Sequence, residues 1–307
     1  MCEQNPNANA KQTASGRKLH NSMGGESKAK RDVYQDITDT IIAALEKGTA
    51  PWVKPWASSG APRNAITGRE YSGINLVLLA MSTYTNPLWL TYNQAAAVGG
   101  QVRKGEHGTA VVLYKPFAVK DAEAEGRGED KEKLIPLLRT FTVFNMEQID
   151  GLPEKYTTSQ RPQLDSFTDN DKAEALLAQA DIEHGHSKAC FIPSIDKVRL
   201  PEKTAFKSMG DYYATGLHEL THWTGHKSRL ARDFSGRFGD EAYAFEELIA
   251  ELGAAFLCAH CAIDGQLLHE NYIAGWLKVL RNDKRAIFAA SAAGRRVAEF
   301  LIGERAE

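Results

Sequence analysis

The 307-residue sequence predicts an α+β fold in two parts. The N-terminal half reads as a small, mostly antiparallel sheet flanked by helices, and the C-terminal half as mainly helical with a short sheet. Three observations carry this reading. Residues 108–119 (GTAVVLYKPFAV) and 134–146 (LIPLLRTFTVFNM) are runs of Val, Leu, Phe and Tyr on either side of a charged segment, as expected of two strands. Val33, Ile37, Ile41 and Leu45 recur at four-residue steps, the apolar stripe of a helix. Residues 240–263 form a proline-free stretch rich in Ala, Leu and Glu, which reads as one long helix.

Taken in order, residues 1–31 are polar and lack an apolar centre, so they read as a flexible tail and not a secretory leader. The first helix covers about 32–47, with Asp32 as N-cap and Gly48 and Pro51 ending it. A second covers about 72–84, and a third lies within TYNQAAAVGG, closed by its glycine pair. The segment between the two strands is charge-dense, acidic and free of aromatics, which marks a surface loop. The polar, aperiodic stretch TTSQRPQLDSFTDND places a boundary at 152–170, separating a domain at 32–151 from one at 171–307. Beyond it come a helix (DKAEALLAQA), short strands (KACFIP, DKVRLP), a helix within 204–225, the long helix and two more. No internal repeat is visible.

Hydrophobic residues make up 43% and charged residues 25%, the balance of a globular protein. The net charge of −2 favours no class of partner, but residues 1–118 carry thirteen Lys and Arg against eight Asp and Glu, a local net of +5. No apolar run approaches the roughly 18 residues of a membrane span, so no membrane partner is expected. Four cysteines, Cys2, Cys190, Cys258 and Cys261, are too few and too uneven for a disulfide framework, which points to the cytoplasm. Cys258 and Cys261 resemble half a structural zinc site without a second half, and read as packed helix residues.

The chemistry concentrates in HELTHWTGH, residues 218–226. His218 and His222 stand four apart, on one face of a helix, and can aim at one ion. Glu219 points about 100° away from His218, beside the ion, where a base that takes a proton from water is needed. A catalytic zinc asks for three protein ligands and an open position. Gly225 fits one extended pattern, but Ser228 stands where its histidine would be. His226 lies roughly 12 Å along the axis from His218, too far for a shared tetrahedron on a straight helix, and reads as a rim residue. The alternative source is a carboxylate from the long helix, which offers Glu246, Glu247 and Glu251. Carboxylates on so apolar a helix are costly unless paired or bound to a cation. Tyr212 and Tyr213, a turn or two before the motif, are either oxyanion donors or packing residues, and packing is the plainer reading.

The N-terminal half interleaves aromatics with cations and amides: Trp52, Lys54 and Trp56; Arg63, Asn64, Arg69, Tyr71 and Asn75; Trp89, Tyr92, Asn93, Gln94, Arg103, Lys104 and Lys115. This pattern suits single strands, whose bases stack on rings while Lys and Arg follow the phosphates.

HELTHWTGH followed by EELIAELGAAFL resembles the zincin-like metallopeptidase part of the ArdC antirestriction family. LEKGTAPWVKPW, PRNAITGREYSGIN, WLTYNQA, GGQVRKGEHGT and FTVFNMEQIDGL resemble that family's N-terminal single-stranded-DNA-binding domain. The resemblance runs from about residue 32 to the C-terminus. It implies a plasmid-type protein that binds single-stranded DNA, with double-stranded DNA as a further candidate, and protects incoming DNA from restriction. It implies a Zn2+ or other divalent ion such as Mn2+, and a protein substrate such as a restriction-system component. By the family pattern Glu247 is the third ligand and Glu251 orients a ligand imidazole, the reverse assignment staying open. Two alternatives from other classes are an intracellular metalloprotease without DNA binding, and a DNA-coating protein whose metal is structural.

Overall fold

The computed structural model describes residues 32–48, 50–52, 60–120, 132–157, 169–234, 240–264 and 272–303. The expected tail, the centre of the acidic loop at 121–131 and residues 158–168 of the boundary stretch lie outside them.

Helix α1 (Val33–Glu46) buries Ile37, Thr38, Ile41 and Leu45, the face that the four-residue spacing foretells. Helix α2 (Ile74–Ala80) is shorter than expected and buries every residue from Leu76 to Ala80. Helix α3 (Tyr92–Ala97) begins on a capping box: the Thr91 hydroxyl accepts from the Gln94 amide and the Gln94 side chain accepts from the Thr91 amide.

Strands β1 (Arg63–Asn64), β2 (Leu88–Thr91), β4 (Thr109–Lys120) and β5 (Glu132–Asn145) form a sheet in the order β1-β2-β5-β4. The pairs are antiparallel except β1 with β2. A separate ribbon joins β3 (Gln101–Val102) to β6 (Ile149–Asp150). The long β4–β5 hairpin, with Thr109 opposite Val143 and Lys120 opposite Glu132, is the expected one. Strand β2 is not anticipated by the sequence reading. Trp89 and Leu90 are successive residues on opposite faces and both are buried, so the strand lacks the alternation that marks one wet face. Asn75 ties α2 to the sheet, its side-chain amide donating to the Val112 carbonyl (2.8 Å) and accepting from the Val112 amide (2.7 Å).

The C-terminal half follows with α4 (Glu154–Thr157), α5 (Asp171–Leu177) and a three-stranded sheet of β7 (Ile182–Glu183), β8 (Cys190–Ile192) and β9 (Lys197–Arg199) in the order β7-β9-β8. Then come α6 (Met209–Thr224), α7 (Glu241–Cys261), α8 (Ile273–Asn282) and α9 (Ala286–Ile302). Ser208 caps α6 by accepting from the Asp211 amide at 3.1 Å.

Helix α7 packs between α6 and α9, which explains its lack of an amphipathic stripe: residues from Glu246 to Ala254 are all buried. Gly253 sets the α6–α7 spacing. A Cβ there would stand 2.6 Å from Thr221 Cγ2 and 2.8 Å from Thr221 Oγ1, so a larger residue would push the two helices apart.

Of the four hydrophobic clusters among the described residues, two bear on the C-terminal helices. One draws on both halves of the chain: Ile41, Leu45, Trp52 and Val77 pack with Leu248, Leu252, Trp276 and Ile287. Each such fully buried aliphatic contributes on the order of 1.5–3 kcal/mol, so α1 and α2 are part of what steadies α7 and α8. The other cluster lies under α6 and includes Leu217, Leu220, Leu257, Cys258 and Cys261. Both cysteines of the CAHC segment are thus packed core thiols. No helix among the described residues is long and apolar enough to cross a membrane.

Candidate metal centre

Helix α6 presents His218 and His222 one turn apart, their ring centroids 4.9 Å from each other. Helix α7 crosses so that Glu247 faces both. Its Oε2 is 3.6 Å from His218 Nε2 and its Oε1 is 3.5 Å from His222 Nε2. One ligand atom from each of the three residues lies within 4.8 Å of the other two, and no other such group occurs among the described residues. The spacing fits a common ion: bonds of about 2.1 Å in a tetrahedron put neighbouring ligand atoms roughly 3.4 Å apart.

The far side of each ring meets another carboxylate. Glu251 Oε1 lies 3.5 Å from His218 Nδ1, and Glu246 Oε1 lies 3.1 Å from His222 Nδ1. Both Nε2 atoms therefore face Glu247, and both Nδ1 atoms face a supporting carboxylate. Glu251 stands on the wrong side of His218 to share an ion with the two Nε2 atoms. The support that Glu246 gives to His222 is absent from the sequence reading, since three glutamates crowd within six residues and only the crossing of α7 distinguishes them.

Electrostatics follow from this crowding. Glu219, Glu246, Glu247 and Glu251 are all buried. Burial works against a charge on His222, but hydrogen bonds to Glu246 and Glu247 outweigh it and carry its pKa up to about 10. His218 is raised in the same way: burial opposes the charge, and Glu247 and Glu251 more than offset it. Burial would raise Glu247, yet the two imidazoles hold its carboxyl well below the usual range. A buried set of two imidazoles and four carboxylates is costly unless positive charge resides there, and a divalent cation fits that donor set.

The centre opens onto a cavity of about 270 Å³ whose walls include Glu219, Cys190 and Phe191 of β8, Phe234, Tyr243 and Tyr272. Tyr243 and Tyr272 went unnoticed in the sequence because neither is near the motif in the chain. Tyr212 and Tyr213 face elsewhere: the Tyr212 hydroxyl meets His184 Nε2 at 2.9 Å, and the Tyr213 hydroxyl donates to Glu174 at 2.7 Å. Their role is packing. His226 lies past the end of α6, bonded to Ser228 Oγ (2.8 Å) and edge-on to Phe191.

The nucleic-acid residues expected in the N-terminal half divide. Trp52 is 1% exposed and packs edge-to-face on Trp276 at 5.4 Å, so it has no face for a base and its assignment as a stacking residue is corrected. Asn75 is corrected likewise, since its amide is spent on Val112. Asn64 organises a turn, accepting from the amides of Ile66 and Thr67 and donating to Gln94. Tyr71 packs half-buried against the cluster of Leu79, Trp89, Val111 and Val143, and Arg63 is half-buried at the start of β1. Arg103 is engaged on the surface by Glu106 (2.8 Å) and Asp150 (3.3 Å). Tyr92 (52% exposed) and Lys104 are open to solvent. Lys54, Trp56 and the side chain of Lys115 lie outside the described residues. The sheet also exposes Leu113, Tyr114 and Phe141, which read in the sequence as ordinary strand residues.

The helix pair that carries the HExxH motif and its opposing glutamate, following a sheet-based N-terminal half, defines the class. Residues 171–293 match the zincin-like metallopeptidase family and residues 31–144 match the N-terminal domain of anti-restriction factor ArdC. The chain belongs to the ArdC family of antirestriction proteins. It is similar to the crystal structure of ArdC from the R388 plasmid in its metal-free form, with TM-score 0.74 and 42% identity over 89% of this chain and 97% of that one. Against the Mn(II)-bound form the TM-score is 0.71 at 39% identity, covering 89% and 98%. It is also 38% identical over 290 residues to the uncharacterized protein y4eC of Sinorhizobium fredii (strain NBRC 101917 / NGR234), covering 90% of this chain and 93% of that one. With a DNA primase TraC of Escherichia coli it shares 39% identity over 298 residues, 90% of this chain but only 27% of that longer protein.

Proposed function

We propose that the chain is a two-part antirestriction protein acting in the cytoplasm. Its N-terminal part, about 32–151, binds single-stranded DNA, and its C-terminal part, about 171–307, is a divalent-metal hydrolase acting on protein. The observation that carries the second claim is the convergence of His218 Nε2, His222 Nε2 and Glu247 at 3.5–3.6 Å. These three would hold the ion, and the Mn(II)-bound structure of R388 ArdC supports a divalent cation, Mn2+ or Zn2+. Such an ion, when bound, supplies Lewis-acid polarisation. Glu219, buried beside the ligands on the cavity wall, takes the proton of the attacking water and passes it to the leaving amine. Glu246 and Glu251 keep the imidazoles turned with Nε2 inward. A restriction-system component is the protein substrate that the family membership favours.

For DNA, the support is the set of rings open to solvent, Tyr92, Tyr114 and Phe141, together with the exposed cation Lys104. The test is Glu219→Ala in the full chain. Metal and oligonucleotide binding should persist while peptide hydrolysis is lost. Incoming DNA should then be restricted in a recipient cell expressing the variant; protection equal to wild type would remove proteolysis from the antirestriction mechanism.

A further inference from the structure

After α6 the chain turns back across the helix end, and Arg232 is laid against it. Its side chain is only 10% exposed, and every arm of the guanidinium is engaged. Nε and Nη2 form a two-point pair with Glu246, at 3.0 Å to Oε2 and 2.9 Å to Oε1. Nη1 donates to Thr224 Oγ1 at 2.9 Å, and Nη2 also donates to the Thr221 carbonyl at 2.6 Å. The same Glu246 Oε1 accepts from His222 Nδ1 at 3.1 Å. Gly225 leaves room for both this guanidinium and Phe234, because a Cβ there would stand 2.8 Å from Arg232 Nη2, 2.9 Å from its Cζ and closer still to Phe234 Cζ.

We propose that Arg232 is a positioning residue for the candidate metal centre, fixing Glu246 so that the His222 ring is held with Nε2 facing Glu247. The inference rests on the reading of His218, His222 and Glu247 as ligands. A carboxylate held at one point can rotate about its last bond; one held in a planar fork cannot, and the lone pair left on Oε1 has a set direction. That lone pair meets Nδ1, which fixes the plane and tautomer of the ring. The helix-end contacts to Thr221 and Thr224 anchor the guanidinium to the same helix that carries His222, so ring, carboxylate and cation move as one body. On the other ring, Glu251 stands 3.5 Å from His218 Nδ1, a looser contact.

The test uses the full chain stripped with EDTA and titrated with Zn2+ against a chelating dye, beside the unfolding temperature of the metal-free protein. Arg232→Lys keeps the charge and loses the fork. Zn2+ affinity should fall about tenfold to a hundredfold, the range for losing a partner behind a ligand. Thr224→Val removes one helix-end contact of the guanidinium and the hydroxyl's own bond to the Thr221 carbonyl at 2.6 Å but leaves the fork to Glu246, so it should lower the unfolding temperature and weaken Zn2+ binding less than Arg232→Lys does. If Arg232→Lys does not fold, Gly225→Ala, whose methyl would crowd Phe234 as well as the guanidinium, should weaken Zn2+ binding severalfold more than Phe234→Ala does. Wild-type affinity in a folded Arg232→Lys or Gly225→Ala protein overturns the inference while the ligand reading stands. Failure of the wild-type chain to bind Zn2+, or binding unaffected by His218→Ala, overturns the ligand reading itself.

Discussion

Replacing Gly253 by alanine sets two physical effects against each other at the helix crossing that builds the centre. Helix propensity alone makes Gly253→Ala stabilising by about 1 kcal/mol, because alanine loses less backbone freedom in a helix interior. The tertiary contact works the other way. The added methyl would sit 2.6 Å from Thr221 Cγ2 and 2.8 Å from Thr221 Oγ1, where ordinary contact begins at 3.4 Å. On its opposite side Gly294 already brings α9 against the Gly253 backbone, so α7 has no free direction in which to retreat. Overpacking of this kind costs about 1–3 kcal/mol, and it should win or at least cancel the propensity gain, leaving a net loss of roughly 0–2 kcal/mol. Thr221→Ala removes both clashing atoms and leaves Cβ at 3.3 Å, a tolerable distance. It also removes the hydroxyl bond to the Leu217 carbonyl, worth about 1 kcal/mol or less. The double variant should therefore be more stable than the two single effects added, by about 1–2 kcal/mol. Urea denaturation of the metal-free full chain gives all four corners of the cycle. A Gly253→Ala protein more stable than wild type, with no coupling to Thr221, would refute the close approach of α6 and α7. Zn2+ affinity supplies a second readout, since Thr221 adjoins His222 and Gly253 lies two residues from Glu251.

Other expectations follow from the same coordinates. Trp52→Phe should leave oligonucleotide affinity unchanged and lower stability, because the ring is 1% exposed in the shared core; a large loss of DNA binding in a folded variant would contradict its assignment to packing. Tyr92→Ala should do the reverse, changing stability by no more than about 0.5 kcal/mol while weakening single-strand binding by about 1 kcal/mol or more, as read by gel shift. That binding should weaken steeply between two salt concentrations. Metal uptake should release protons: with His222 raised to about 10, its imidazole is charged at neutral pH in the metal-free chain and must lose that proton to ligate. Affinity should thus rise with pH, by about tenfold per unit for each proton displaced, and level off above about 10; calorimetry in buffers of different ionisation enthalpy counts them, and a count of zero would refute the charged state. The sign is opposite for metal-free stability. A raised imidazole pKa contributes stability that is full below the ordinary value near 6.5 and lost as pH rises through about 10, which chemical denaturation across that range would measure.

What the sequence determined by itself was local and periodic. The four-residue stripe of α1, the long hairpin and the pairing of His218 with His222 on one helical face depend only on backbone geometry and residue type, so they are legible without a fold. The tertiary structure decided everything that depends on who packs against whom. Glu246, Glu247 and Glu251 are three acids on a helix buried all round, and their separate positions around the two imidazoles come from the angle at which α7 passes α6. Trp52, beside a lysine and prolines, has the local signature of a base-stacking residue; Trp276, from the far end of the chain, covers its ring. Arg232 lies in an unremarkable loop and acquires its role only because that loop folds back over Gly225. Periodicity is written in neighbours along the chain, whereas the environment of a side chain is made by residues distant in sequence, and these positions depend on the second kind of information.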